Sequence, residues 1–396
     1  MQHRKSFYQF VSIHTFLIGL FPFYLPVFLW KLGYTISDIS YFIALAGFGY
    51  CLALWFWERI HKVMALKKVI LISFLLEILL LTTIFFNGRI LFFPALAILY
   101  GIYNCFFWIT NRVLFLETVT PSDSGKHFGN FQIVVAVILK VGVFCGGLLL
   151  DKTSYFPVFI LSILVGLLGS VLFIANKDLA GLFQSMQQVK SIGLTGLFTF
   201  RDAFRSRFIF AIDGLFLFLE SFFWVISLFI IVKESYWQLG MLVILLMIIF
   251  GAMFYFIKNS IDRMPGEWMY RISVFFYALS WIFRGLIGDE LKLPVVFVLL
   301  ILITFFTSIF RLTFNKRFFD LAKTTTAHQY IFLKSYYSQF FIAILFGLLG
   351  LVLSRIGNPE AALSYTYFAA AAIALGYFLY RSYDTSQSHP NHGASQ

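Results

Sequence analysis

Long apolar runs recur along the whole chain, each followed by a short polar connection. A bilayer core about 30 Å thick requires about 20 apolar residues per helix. Runs of that length predict spans at 7–30, 36–57, 69–87, 90–111, 129–150, 154–175, 208–232, 236–257, 269–287, 293–311, 328–353 and 361–381. Barrel strands would be about 10 residues long and would alternate, which these runs do not. We therefore predict an all-α polytopic membrane protein with about twelve transmembrane helices.

The overall composition argues against a soluble protein. Hydrophobic residues make up 60% of the chain and charged residues 12%, whereas soluble domains have about 45–50% and about 25%. The net charge of +12 comes mainly from basic residues in short connections between apolar runs. Nucleic-acid binding requires a basic solvated face, so we expect no nucleic-acid partner.

Lysine and arginine are divided unequally between alternate connections. With the N-terminus in the cytoplasm, about 21 of them fall on the cytoplasmic side and about 7 on the other, and such a bias sets orientation. Both termini are therefore predicted to be cytoplasmic. The short loops and tails favour a bacterial inner membrane.

One connection, residues 176–207, is much longer than the others, and it is basic and amphipathic. We interpret it as a linker along the cytoplasmic membrane surface. It divides the chain into two six-helix bundles, 1–175 and 208–381, and the polar stretch 382–396 is predicted to be a disordered cytoplasmic tail.

The two halves repeat short patterns at matching places. Asn111-Arg112 at the end of the fourth span corresponds to Asn315-Lys316 at the end of the tenth. Glu58-Arg59 after the second span corresponds to Asp262-Arg263 after the eighth, and both offsets are 204 residues. This pattern indicates an ancient duplication. Many secondary transporters are built from duplicated halves around a site at the membrane midplane.

Together these features resemble the major facilitator superfamily over about residues 7–381. Its signature after the second span reads Gly-x-x-x-Asp-Arg-x-Gly-Arg-Lys; here Glu58-Arg59 is followed by Lys62 and Lys67-Lys68, without the glycines. The second copy, Asp262-Arg263, is closer to the signature. The resemblance implies that both loops latch helix ends and gate the transport cycle. Gly142-x-x-x-Gly146 resembles the family's glycine-rich fifth helix, where small residues let backbones approach.

Charged residues inside spans are costly and therefore candidates for function. Asp213 and Glu220 lie seven residues apart in the seventh span, so they share one helix face. The resemblance implies that this helix lines a cavity. We hypothesise that one of the two binds a coupling proton or a cationic group; the alternative is a structural partner for a basic residue.

Two lysines also lie within predicted spans. Lys334 enters the eleventh span at a depth similar to that of Asp213, from the same side. The resemblance makes the seventh and eleventh helices neighbours, so we predict an Asp213–Lys334 pair, with snorkelling of Lys334 as the alternative. Lys140, near the middle of the fifth span, faces an anionic solute group or pairs with a carboxylate.

Weaker candidates lie in the first, third and fourth spans. His14 joins a proton relay or is a satisfied buried histidine, and Glu77 is interpreted as a structural partner. Asn104, Trp108 and Asn111 form one stripe of the fourth span. The resemblance implies that this span lines the cavity, which makes Asn104 and Asn111 candidate solute contacts.

The sequence therefore favours a secondary active transporter of a small or amphipathic organic solute, a symporter or antiporter driven by protons and acting as a monomer. No HExxH, GxSxG or P-loop motif occurs, so we expect no enzymatic activity and no cofactor. The alternative is a transport-inactive relative that acts as a membrane sensor or assembly factor.

Overall fold

The computed structural model describes residues 2–64, 66–86, 92–118, 124–175, 192, 194–261, 266–288, 291–324 and 327–382. No strand occurs among these residues, and helices account for nearly all of them. Ten helices in this part of the chain are long and apolar enough to cross a membrane. The prediction of an all-α polytopic membrane protein is confirmed.

Each predicted span corresponds to a helix or to a group of consecutive helical segments. In order, the spans are Gln2–Leu20 with Pro22–Tyr24 and Leu25–Lys31, Ile36–Val63, Leu66–Phe85, Phe92–Thr118, Ser124–Lys152, Tyr155–Ala175, Ser206–Phe218 with Leu219–Phe223 and Trp224–Ile231, Tyr236–Ile261, Gly266–Leu286, Leu293–Thr324, Ala327–Leu353, and Pro359–Ala374 with Leu375–Leu379. A short helix, Leu194–Thr199, precedes the seventh span. Most of the predicted linker 176–207 and nearly all of the predicted tail 382–396 lie outside the described residues.

The eighth and ninth spans are helices that are not among the ten. The apolar part of the eighth that the structure describes is the shorter segment Tyr236–Gly251. The ninth carries three charged side chains, Glu267, Arg271 and Arg284. Charge within a span lowers its apolar character, so the ninth helix resembles a membrane span in length more than in composition.

The chain forms two compact units that do not follow its linear order. The first unit contains residues 1–191, 217–245 and 339–355. The second unit contains residues 192–216, 246–338 and 356–396. The seventh, eighth and eleventh spans therefore each contribute one part to each unit.

In the first unit, the predicted close approach of the fifth span to another helix is confirmed. A Cβ atom on Gly142 would collide with the carbonyl oxygen of Phe16, and one on Gly146 would collide with that of Leu20. Any larger residue would therefore push the first and fifth spans apart. This contact explains why two glycines stand one turn apart on that face.

Also in the first unit, the end of the fifth span caps the start of the eighth. The Asp151 carboxylate accepts hydrogen bonds from the Ser235 hydroxyl (2.7 Å), the Tyr236 backbone N–H (3.0 Å) and the Trp237 backbone N–H (2.9 Å). The first N–H groups of a helix have no partner within the helix, and an anion there is favoured by the helix dipole. A carboxylate distant in sequence thus supplies the N-terminal cap.

Candidate functional site

The seventh span places an acidic side chain deep inside the second unit. Asp213 lies in the helix Ser206–Phe218, and its relative exposure is 0%. Its neighbours Ile212 and Leu215 are buried and apolar. An ionised carboxylate in such surroundings requires charged or hydrogen-bonding partners.

Three side chains from three other spans supply those partners. An Arg311 guanidinium N–H donates to Asp213 Oδ1 over 2.8 Å, and Lys334 Nζ lies 3.0 Å from Oδ2. The Tyr377 hydroxyl also donates to Oδ1, over 2.9 Å. We call these four residues the Asp213 cluster. The seventh, tenth, eleventh and twelfth spans meet at this cluster.

Aromatic rings surround the two cations of the Asp213 cluster. The guanidinium carbon of Arg311 lies 5.7 Å from the ring centres of Tyr277 and Phe310. Lys334 Nζ lies 5.0 Å and 4.5 Å from those of Phe314 and Phe318. Cation–π contacts stabilise a charge where water is scarce, so the rings help to keep both cations charged at this depth.

Arg311 is the most accessible charged member of the Asp213 cluster. Its side chain is 19% exposed, compared with 8% for Lys334 and 1% for Asp213. A guanidinium presents several donors in a plane and can engage more than one acceptor, and a second Arg311 N–H group donates to the Tyr277 hydroxyl over 3.4 Å. Arg311 therefore has the geometry of a residue that could exchange Asp213 for an incoming anionic group.

The sequence predicted two members of this cluster, Asp213 and Lys334, and missed the other two, Arg311 and Tyr377. The predicted Asp213–Lys334 pair is present. The sequence prediction ends the tenth span at residue 311 and so leaves Arg311 at a cytoplasmic helix end, whereas the helix continues to Thr324. The predicted end of the tenth span at residue 311 was wrong. The available signal was the absence of any glycine or proline between Pro294 and Thr324.

Glu220 lies in the other unit. It is the second residue of a π-helical turn, Leu219–Phe223, which interrupts the seventh span just after Asp213's segment. A π turn uses i→i+5 hydrogen bonds, so the phase of an α-helix is not kept across it. The single face predicted for Asp213 and Glu220 assumed uninterrupted α-helix. Single π turns occur frequently at functional sites.

In the first unit, His14 and Glu77 are in contact, although the sequence indicated them only as separate candidates. His14 Nδ1 lies 2.9 Å from Glu77 Oε2, and both side chains are buried. Nothing in the sequence spacing indicated this contact. The requirement that each buried polar group find a partner was the only signal that could have linked them.

The other candidates of the first unit have less defined roles. The Asn104 amide donates to the carbonyl oxygen of Tyr100 in its own helix (2.8 Å). Asn111 is buried, and its Oδ1 has no hydrogen-bond partner among the described residues. Lys140 is partly buried and forms no ion pair within the part of the chain that the structure describes. The carboxylate partner proposed for Lys140 is thus not found there.

The structure describes Glu58 and Arg59 of the first predicted gating loop. Glu58 is buried, with 3% exposure. Arg59 stacks on the Trp55 ring at 3.4 Å and donates to the Trp55 carbonyl oxygen, and so stays within its own helix end. Asp262 and Arg263, the second loop, lie outside the described residues.

A second ionic group is centred on Glu267, which precedes the predicted ninth span 269–287. Arg317 donates to Glu267 (2.6 Å) and to the Tyr380 carbonyl oxygen (2.5 Å), and Arg271 also donates to Glu267 (3.0 Å). Burial raises the pKa of the Glu267 carboxyl, but the hydrogen bonds and charges of the two arginines outweigh it and hold the pKa below its ordinary value.

Comparison with solved structures places the fold among membrane transporters. The crystal structure of a point mutant of the nucleoside transporter NupG aligns with a TM-score of 0.73 at 12% identity, covering 96% of this chain and 100% of that one. The crystal structure of a point mutant of the peptide transporter POT aligns with a TM-score of 0.58 at 15% identity, covering 96% and 92%. No curated protein sequence is significantly similar to this chain.

The sequence model described as Major Facilitator Superfamily matches residues 10–339. The match covers most of the chain, including nearly all of the spans that build the first unit and the Asp213, Arg311 and Lys334 members of the cluster. The chain therefore belongs to the major facilitator superfamily.

Proposed function

We propose that this protein is a secondary active transporter that moves a small or amphipathic organic solute by alternating access, driven by a proton gradient. The observation that carries the proposal is the Asp213 cluster, in which a buried carboxylate is held by Arg311 and Lys334. Intramembrane charges of this kind mark ion and substrate pathways. Both termini are cytoplasmic, and the bundles 1–175 and 208–381 of a single monomer move against each other.

In this proposal the Asp213 cluster responds to protons and to solute through the same contacts. Protonation of Asp213 removes the counter-charge of Arg311 and Lys334, and an anionic or hydrogen-bonding group of the solute then takes its place. A carboxylate, phosphate or carbonyl group meets the planar donors of Arg311 well. The solute and the proton are thereby linked, because each changes the free energy with which the other binds.

The first solutes to test follow from the relatives. The two similar structures carry the names of a nucleoside transporter and a peptide transporter. Uridine, adenosine and a set of dipeptides are therefore the first probes, followed by monocarboxylates and lipophilic cations. We expect a solute of the matching class to raise the thermal midpoint of the purified protein, because a ligand of the folded state stabilises it by mass action.

The variants are chosen so that loss of binding is separated from loss of fold. Asp213→Asn leaves two buried cations without their carboxylate, so Asp213→Asn with Lys334→Gln restores the balance of charge. We expect the double variant to fold but to lose the midpoint shift and proton-driven uptake into proteoliposomes. Glu360→Gln, an exposed acid at the start of the twelfth span, is the matched control and should behave like the parent.

The competing function is that of a transport-inactive membrane sensor or assembly factor. A midpoint shift with no uptake under any proton gradient would favour a sensor over a transporter. The absence of both for every solute class, with the double variant as stable as the parent, would oppose the transport proposal itself.

A further inference from the structure

Besides the Asp213 cluster, the described residues contain a second buried acid–base pair, which lies in the first unit. His14 on the first span and Glu77 on the third have relative exposures of 0% and 1%. Ser73, one turn before Glu77, and Tyr103 on the fourth span complete a small polar group. We call His14 and Glu77 the His14–Glu77 pair. The function proposed above makes no use of it.

The polar contacts of the pair can be described atom by atom. Glu77 Oε2 lies 2.9 Å from His14 Nδ1, and Glu77 Oε1 accepts the Tyr103 hydroxyl over 3.0 Å. Ser73 Oγ lies 2.9 Å from His14 Nε2 and 2.8 Å from the Ile70 carbonyl oxygen. Both ring nitrogens and both carboxylate oxygens therefore have a partner at hydrogen-bond distance.

This geometry fits two protonation states that differ by one proton. At 2.9 Å, either Nδ1 or Oε2 must carry a hydrogen, because a bare nitrogen and a bare carboxylate oxygen repel each other. If the single Ser73 hydrogen points to Nε2, that nitrogen is unprotonated and the pair carries one negative charge. If it points to the Ile70 carbonyl, Nε2 carries its own hydrogen and the pair is neutral overall.

The surroundings favour the neutral state. The rings of Phe74, Phe10 and Phe107 lie 3.9, 4.7 and 4.9 Å from the imidazole centre. A net charge in such apolar surroundings is costly unless a counter-charge is present. The negative state is therefore converted to the neutral state by taking up a proton, or persists only where water reaches the pair.

Other titratable groups on the helices packed around the pair do not neutralise it. Tyr103 is the only one bonded to it among the described residues. The others within the apolar lengths of those helices form no hydrogen bond or ion pair with it: Tyr8 and Tyr24 on the first span, Tyr100 and Cys105 on the fourth, Lys140 and Cys145 on the fifth, and Tyr155 on the sixth. The cations of the third span, Lys67 and Lys68, lie near its start, and Arg112 of the fourth lies nine residues beyond Tyr103.

We propose that His14 and Glu77 together form a binding site for one exchangeable proton. A proton taken from water ends on Nε2, and the Ser73 hydroxyl turns from Nε2 to the Ile70 carbonyl oxygen. No other bond forms or breaks, and release is the reverse step. Because both side chains are buried away from water, the proton exchanges only when the first, third and fourth spans separate enough to admit water.

In a proton-driven transporter this site would couple protonation to the packing of the first unit, and that role rests on the function proposed above. The existence of the proton-binding site does not rest on that function. It can be measured on the protein without any solute, so failure of the transport proposal and failure of this one give different results.

The test is ¹⁵N NMR of the full-length protein in lipid bilayers with labelled histidine. The chain has seven histidines, and the His14 signals are identified as those lost in His14→Gln. The chemical shift of Nε2 distinguishes its protonated from its unprotonated form. We expect Nε2 to be protonated at the acidic end and unprotonated at the alkaline end of a series from about pH 5 to about pH 10.

Two variants test the assignment. Glu77→Gln removes the negative charge that balances a ring protonated at both nitrogens, so the Nε2 signal of His14 should become independent of pH. Tyr103→Phe removes the donor that stabilises the negative state, so Nε2 should keep its proton to a pH about one unit higher, as expected for one hydrogen bond. Tyr100→Phe, one turn away on the same helix, is the matched control and should leave the series unchanged.

Two results would overturn the proposal. One is a wild-type Nε2 signal that does not change across the series. The other is a change that persists unaltered in Glu77→Gln or, if that variant does not fold, in Tyr103→Phe.

Discussion

The two buried acid–base groups of this protein handle charge in opposite ways. In the Asp213 cluster, a carboxylate meets an arginine and a lysine from two other spans. In the His14–Glu77 pair, a carboxylate meets a histidine that can be neutral. Arginine keeps its charge at any physiological pH, whereas histidine changes charge near neutrality. The cluster therefore surrounds its carboxylate with fixed positive charge until Asp213 itself is protonated, whereas the charge of the pair depends on one proton at the histidine.

This comparison predicts that the largest loss of stability follows removal of the Asp213 carboxylate. Asp213→Asn leaves Arg311 and Lys334 buried without it, and breaking a buried ion pair in this way costs about 3–5 kcal/mol. The loss is measured by unfolding in mixed detergent micelles. Lys334→Gln in the same chain should recover part of it, and a variant as stable as the parent would contradict the fixed-charge interpretation.

Glu77→Gln should cost less, about 1–2 kcal/mol. The glutamine oxygen can still accept a hydrogen bond from a neutral His14, so no charge is left unpaired. The same unfolding measurement checks the value. A loss equal to that of Asp213→Asn would mean that His14 is permanently charged, and the contrast between the two groups would disappear.

The two tyrosines that donate to these carboxylates give a finer comparison. Tyr103→Phe and Tyr377→Phe each remove one hydroxyl and little else. We expect Tyr103→Phe to cost about 1.5 kcal/mol and Tyr377→Phe about 0.5 kcal/mol, because Asp213 keeps two cations whereas Glu77 keeps one histidine. Equal losses, or the reverse order, would show that the cations do not compensate Asp213 as described.

The smallest expected effect concerns Glu267, whose side chain is 32% exposed. Its pKa is lower in the folded protein than its ordinary value, so its contribution is present above about pH 4.3 and is lost as the pH falls through the folded pKa. Glu267→Gln should therefore be less stable than the parent at pH 7, by under about 0.5 kcal/mol. The difference should vanish under strong acid; a constant difference would exclude ionisation as its cause.

The parts of the fold that could be predicted from sequence are those that depend on local composition. Each apolar run is recognisable by itself, because lipid imposes helix on any spanning segment. The Asp213–Lys334 pair was also predictable, but only because both charges lie at similar depth and the family resemblance implies that the seventh and eleventh helices are neighbours. Arg311 was not, because its role depends on where a helix ends, which is the least certain feature of a sequence pattern.

The contact between His14 and Glu77 could not be predicted from the spacing of residues along the sequence. The two residues lie on different helices, and which faces meet is set by the packing of the whole first unit. Ser73 gave no signal, since most serines in membrane helices bond to their own backbone, as Ser170 does. Such groups become recognisable only when the distances between their atoms are known.

The cap that Asp151 places on the eighth span has a consequence for how the chain is made. This cap joins Asp151 and Tyr236, which are 85 positions apart in the sequence. Asp151 is therefore synthesised before Tyr236. Until the fifth helix is in place, the N–H groups of Tyr236 and Trp237 lack this acceptor, and the first turn has only the local cap in which the Gln238 N–H donates to the Ser235 hydroxyl. For this one contact, the chain therefore completes the acceptor before it completes the donors.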